Sequence, residues 1–172
     1  SNRKIVQGLI DDLKISKDKQ LKVIRAIDKL DKPGFGLKGV EDLLKKERKD
    51  QSGAVTKGAD LTNDQVAKIL NFLKMKDLKE LKENLKNPLS QEGIKELEDL
   101  FDLLSYGEYS EFVKLDLSKI RGLDIYTGFI VETNLKFEVK NLKGKIVDPG
   151  ACASGGEYLV TKYKGSSFLG SG

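Results

Sequence analysis

The sequence predicts an α+β protein in which helices come first and antiparallel strands follow, the change falling near Tyr109. Three observations carry that expectation. From Ile5 to Leu104 apolar residues recur at three- and four-residue spacing, the period of an amphipathic helix. After Tyr109 they gather in short alternating runs rich in β-branched and aromatic residues, which is strand patterning. Glycine then becomes dense toward the carboxyl end. The chain accordingly divides into a helical segment, residues 1–109, and an antiparallel β segment, residues 110–172.

The helical runs in order are IVQGLIDDL, KQLKVIRAIDKL, VEDLLKKE, NDQVAKILNFL, DLKELKENL and QEGIKELEDLFDLL. Ser16, Thr62 and Ser90 stand where helix N-caps are expected, and Gln65, three residues after Thr62, makes a capping box. Pro33 with Gly34 and Gly36 ends the second helix, and Pro88 ends the fifth. Between the third and fourth helices, Arg48 to Asp60 reads as a polar, mobile loop. The strands expected after Tyr109 are EFVKLDL, TGFIVET, LKFEVKN and GKIVD. In LKFEV, Leu135, Phe137 and Val139 alternate with Lys136 and Glu138, predicting one buried and one wet face. Tyr106 and Tyr109 are expected in the core, and Cys152 as a packed small hydrophobe.

Composition excludes several chemistries. The chain of 172 residues has no histidine, which removes Ser/His/Asp and Cys/His triads, histidine metal sites and imidazole acid/base catalysis. One cysteine permits neither an internal disulfide nor a thiolate zinc cluster. With 31 basic and 27 acidic residues the net charge is +4, a weak bias compatible with touching RNA but not a footprint of it. Hydrophobic content of 38% and charged content of 34% suit a core of modest size. No apolar run approaches the ~20 residues of a membrane span, and GLKGVEDLLKK lacks the lysine and hydroxyl spacing of a P-loop. Asp116, Asp124, Glu132 and Glu138 offer an arrangement of paired carboxylates, but strand acids at this density read as surface residues.

The stretch KIRGLDIYTGFIVET, Lys119 to Thr133, is where function is expected. TGFIVET forms the strand; Arg121 to Tyr126 lead into it, with Gly122 and Gly128 allowing backbone or ligand to come close. An arginine there needs an anionic partner. One reading is a turn in which Arg121 pairs with Asp124; the other is a site in which Arg121 meets an anionic ligand. Ile125 and Tyr126, being consecutive, face opposite ways.

RGLDIYTG resembles the R-G-L-D-Y-Y-T-G motif of histidyl-tRNA synthetases, a class II aminoacyl-tRNA synthetase family, with Ile125 in place of the first tyrosine. GACASGGEYLVTKYKG resembles that family's second signature, a small-residue run followed by G-G-R-Y-D and an amphipathic helix. SNRKIVQGLIDDLKI and AIDKLDKPG resemble the family's segment after motif 2. The resemblance implies that Arg121 contacts the α-phosphate of ATP and the carboxylate of histidine, that Tyr126 hydrogen-bonds the substrate imidazole, that Tyr158 closes the amino-acid pocket, and that Gly155 and Gly156 keep its floor bare. It also implies a helical insertion that touches the tRNA acceptor stem, followed by antiparallel strands of a class II catalytic sheet.

Departures accompany the agreements. Glu157 stands where the family has arginine, and the following aspartate is missing; the acid either opposes a phosphate or points outward at a helix start. Motifs 1, 2 and 3 and the anticodon-binding domain are not visible, so the chain reads as an internal piece, inactive alone, of a cytoplasmic homodimeric ligase. That ligase would use ATP with Mg2+, for which no ligands are identified here, to charge tRNA with histidine, with no DNA or membrane partner. The alternative is a non-catalytic paralogue that senses histidine or RNA.

Overall fold

The computed structural model describes residues 1–49, 53, 55–122, 125–163 and 166–172. It is α+β. The helices are α1 (Arg3–Asp12), α2 (Lys17–Ile27), α3 (Gly36–Leu44), α4 (Asn63–Phe72), α5 (Leu78–Asn84) and α6 (Pro88–Tyr106). The strands are β1 (Glu47–Lys49), β2 (Val55–Lys57), β3 (Tyr126–Asn134), β4 (Val139–Lys140), β5 (Ile146–Val147), β6 (Ala151–Tyr163) and β7 (Ser166–Ser171). Among the described residues all strand pairings are antiparallel: β1 with β2, β4 with β5, and a three-stranded sheet in the order β3-β6-β7.

Local chemistry accounts for most helix boundaries. Asn2 caps α1 by accepting from the Lys4 amide at 2.9 Å. Thr62 and Gln65 form the expected capping box, and Gln65 Nε2 also donates to the Leu13 carbonyl at 2.9 Å, tying α4 to the end of α1. Asp77 caps α5.

One expected cap is corrected, and so is the place of Pro88. Asn87, not Ser90, caps α6, and Pro88 opens that helix at a position where a missing N–H costs nothing. Ser90 lies one turn inside and buried, donating to the Ile5 carbonyl at 2.9 Å. The neighbouring Gly8 allows this approach: a Cβ there would stand 2.7 Å from the Ser90 amide nitrogen.

One core joins the helices: Ile5, Ile10, Ile24, Ile27, Leu44, Ile69, Phe72, Ile94 and Leu97 are sealed from solvent. Leu117 and Ile120, from the segment that leads into β3, belong to the same core. β3 is further tied to the helices by an antiparallel bridge between Asn2 and Phe129, while Asn2 Nδ2 donates to Glu96 of α6 at 2.7 Å.

Other expectations fail for identifiable reasons. EFVKLDL alternates correctly but meets no strand. Its first residues form a 3₁₀ turn, Ser110–Phe112, and Leu117 instead docks on the helices. In LKFEVKN only Val139–Lys140 pairs, with Ile146–Val147, and no layer covers that hairpin, so Phe137 is 69% exposed. The segment after Gly155-Gly156 is strand rather than the expected amphipathic helix; β6 pairs β3 on one side and β7 on the other, which satisfies its backbone. Tyr106 is 87% exposed and Tyr109 is also exposed, because α6 runs past the core before it ends. Cys152 is exposed, its thiol 3.2 Å from the Thr133 carbonyl. Within Arg48 to Asp60 the described residues include much of the β1-β2 hairpin rather than a plain loop.

Candidate functional site

Arg121 is fixed at both of its ends. Its backbone adopts φ +49°, a left-handed conformation that costs an L-residue about 1–2 kcal/mol. The buried Arg3 of α1 stabilises this turn: its Nη1 donates to the Ile120 carbonyl at 3.2 Å and to the Arg121 carbonyl at 3.0 Å. At the other end Arg121 Nη2 stands 3.2 Å from Glu132 Oε2. Asp124, the other partner the sequence offered, lies outside the described residues.

Glu132 is shared. Its Oε1 accepts from Lys119 Nζ at 2.8 Å, and Lys119 reaches Asp31 Oδ2 at the same 2.8 Å. Ser118 Oγ lies 2.7 Å from Asp31 Oδ2 and 2.6 Å from Asp116 Oδ1. Burial alone would lower the Lys119 pKa, but its bonds to both carboxylates outweigh this and hold it well above the usual lysine value. For Asp31, burial acts upward and is outweighed by bonds from Lys119 and Ser118, leaving its carboxyl below the usual range.

All of these but Asp116 line one cleft of about 600 Å³, walled by Asp28, Asp31 and Pro33 after α2, by Ser118, Lys119 and Arg121 before β3, by Glu132 on β3 and by Asp148 before β6. The Arg121 side chain keeps 30% of its surface open, so an anion in the cleft can reach it.

The other expected site residues form a second group. Tyr126 and Tyr158 are directly paired across β3 and β6. Gly156, paired with Ile130, lies beneath them: a Cβ on Gly156 would stand 3.2 Å from Tyr126 Cδ1 and would collide with the Phe129 carbonyl. Gly155 is the next residue and so turns to the opposite face, against Gly172. Neither tyrosine lines the cleft that holds Arg121. Glu157 also lies apart from it. Its Oε1 accepts from Thr127 Oγ1 at 2.9 Å, and with Phe129 and α6 residues Leu100 and Leu103 it lines a smaller hollow. It stands in a strand rather than at a helix start.

Arg3, Asp31, Lys119 and Glu132 escaped the sequence reading as site residues. Glu132 carried a usable signal: it follows the inward Ile130 by two positions on one strand, so the same alternation turns it inward. Lys119 and Asp31 are 88 residues apart in sequence and carried none. Among the described residues, no three acids, cysteines or histidines gather into a metal-holding group.

A family model described as histidyl-tRNA synthetase matches residues 1–167. A histidine–tRNA ligase of Pelagibacter ubique is 68% identical over 174 residues, covering 100% of this chain and 37% of that protein. One of Rhizobium rhizogenes is 40% identical over 177 residues, covering 96% of this chain and 35% of that protein. Among solved structures, a histidyl-tRNA synthetase from Nostoc sp. aligns with a TM-score of 0.67 at 26% identity, over 93% of this chain and 34% of that one. The chain therefore spans about a third of the length of the relatives it matches.

Proposed function

This chain belongs to the histidyl-tRNA synthetase family, and on that premise we propose that it is the part of a histidine–tRNA ligase whose parent activates histidine with ATP and transfers it to the 3′ end of its tRNA. In the activation step a carboxylate oxygen of histidine attacks the α-phosphorus of ATP and pyrophosphate leaves. Both reactants are anionic, and charge gathers on the oxygens around phosphorus. Arg121 is the residue that offsets this charge, since a permanently charged planar fork matches carboxylate and phosphate oxygens together. The observation that supports the role most directly is the fixing of Arg121 from both ends on an open cleft, which removes reorganisation from the step.

Tyr126 would supply a hydroxyl to the substrate imidazole, with Tyr158 beside it and Gly156 leaving room on that face. Glu157 faces the α6 side with Thr127, away from Arg121. The charge reversal therefore sets no acid against the phosphate that Arg121 would hold, which supports the ligase over a non-catalytic paralogue. Of the four acids lining the cleft, Asp31 and Glu132 are committed to Lys119 and Arg121, and with Asp28 and Asp148 they form no metal-holding group among the described residues, so the Mg2+ that accompanies ATP is assigned to no residue here.

In the parent, residues 1–109 would comprise the end of the motif 2 region and the insertion beside the tRNA acceptor stem, and residues 110–172 part of the catalytic sheet. The parent would be a cytoplasmic homodimer, and among the described residues no helix is long and apolar enough to cross a membrane. Histidine-dependent ATP–pyrophosphate exchange tests the assignment, with the 172-residue chain expected to be silent. In the parent, Arg121→Ala should abolish exchange while histidine binding weakens less; unchanged exchange refutes the role of Arg121.

A further inference from the structure

We propose that Glu132 is a positioning residue: it holds the Arg121 guanidinium toward the cleft, and Lys119, anchored on Asp31, sets how firmly it does so. The proposal rests on the catalytic role given to Arg121 above.

Three observations carry it. First, Glu132 divides its two oxygens, Oε2 to Arg121 at 3.2 Å and Oε1 to Lys119 at 2.8 Å, so each cation has its own acceptor. Second, the Glu132 side chain is only 12% exposed and lies between the two cations, so its place is fixed by packing as well as by the ion pairs. Third, Lys119 is not an incidental neighbour. Asp31 holds it at 2.8 Å, and Asp31 is itself within reach of Ser118 Oγ at 2.7 Å, so a chain of polar contacts fixes Lys119 from the α2 side of the cleft.

This arrangement has a consequence for substrate entry. A carboxylate paired with Arg121 alone would grip the guanidinium fully, and an incoming anion would have to strip that carboxylate of its only cation. Because Lys119 stays on Glu132, Arg121 can offer its remaining donors to a substrate anion from where it is held, while Glu132 keeps a cation of its own. Arg3 meanwhile keeps the Arg121 backbone in place, so the side chain answers the anion without moving the strand.

The test uses the full-length parent in ATP–pyrophosphate exchange, with kcat and KM measured for wild type, Glu132→Gln, Arg121→Ala and the double variant. Glu132→Gln keeps the shape and removes the charge; it is expected to lower kcat by roughly tenfold or more, with KM for histidine changing less than about threefold. Placed on Arg121→Ala, which leaves no steady-state exchange, the same substitution should change the trace of adenylate formed in single turnover at high enzyme concentration less than about twofold, because its effect passes through Arg121. Glu132→Asp should restore part of the loss. Equal losses in both backgrounds, or a fully active Glu132→Gln beside an inactive Arg121→Ala, overturn the positioning role and leave the ligase reading standing. A fully active Arg121→Ala overturns both. Should Glu132→Gln fail to fold, Lys119→Met decides: leaving Glu132 to Arg121 alone should raise KM for ATP about threefold or more, and an unchanged KM overturns the proposal.

Discussion

In the helices, side chains such as Phe72, Ile27 and Leu44 are sealed from solvent, whereas on β6 and β7 Val160, Phe168 and Leu169 each leave about half of their surface in water. Helix packing in this segment completes itself, since α1 packs on α6 and their buried side chains join those of α2–α4 in one core. The sheet buries little within this chain beyond Ile130 and glycine, and its tie to the core is β3. The difference shows where the rigidity of the cleft comes from. Arg121 and Glu132 belong to the β segment, yet Arg3 of α1, Asp31 after α2 and the buried Ile120 hold them in place. The helices act as a jig for a strand that could not fix its own approach.

The contrast is sharpest for a phenylalanine of each kind. Phe72→Ala should cost about 3–5 kcal/mol in urea unfolding and Phe168→Ala less than about 1 kcal/mol. Comparable losses would break the distinction.

At the seam, Arg3→Met removes two bonds to carbonyls at the left-handed turn and should cost about 2–3 kcal/mol. Amide hydrogen exchange should rise around Ile120 and Gly122 while α4 stays protected; protection lost equally in α4 would mean that Arg3 serves the helical core rather than the seam.

The smallest effect concerns pH. The folded-state pKa of Asp31 is depressed, so its stabilising contribution is present above the ordinary carboxylate range and is lost as pH falls through the lower folded value. Asp31→Asn should therefore lower stability at pH 7 slightly and flatten the slope of stability below about pH 4. A slope that matches wild type would remove Asp31 from the network.

The helical half was legible because a 3.6-residue period and a capping box at Thr62 are local, although α2 ends at Ile27, well before Pro33, and Pro88 opens α6 rather than closing α5. Even there, the cap of α6 fell to Asn87 because Ser90 was required inside, against Ile5. In the β half, alternation located TGFIVET correctly, but EFVKLDL and LKFEV alternate as well, and only a neighbouring strand and a covering layer decide whether such a run is a buried strand. Arg121 was legible as a cation in need of an anion. Its partner Glu132, only 11 residues away, was passed over as a surface acid, and Lys119 and Asp31 meet only because α2 ends beside β3.

The sequence by itself determined the order of helices before strands, the capping box that starts α4 and the family, since period, capping and motif residues are properties of neighbours along the chain. Tertiary structure alone decided which acid Arg121 faces, which side of the sheet carries Glu157, and that Gly155 and Gly156 part company. Those outcomes depend on register and packing between segments distant in sequence, where a shift of one residue exchanges the two faces of a strand.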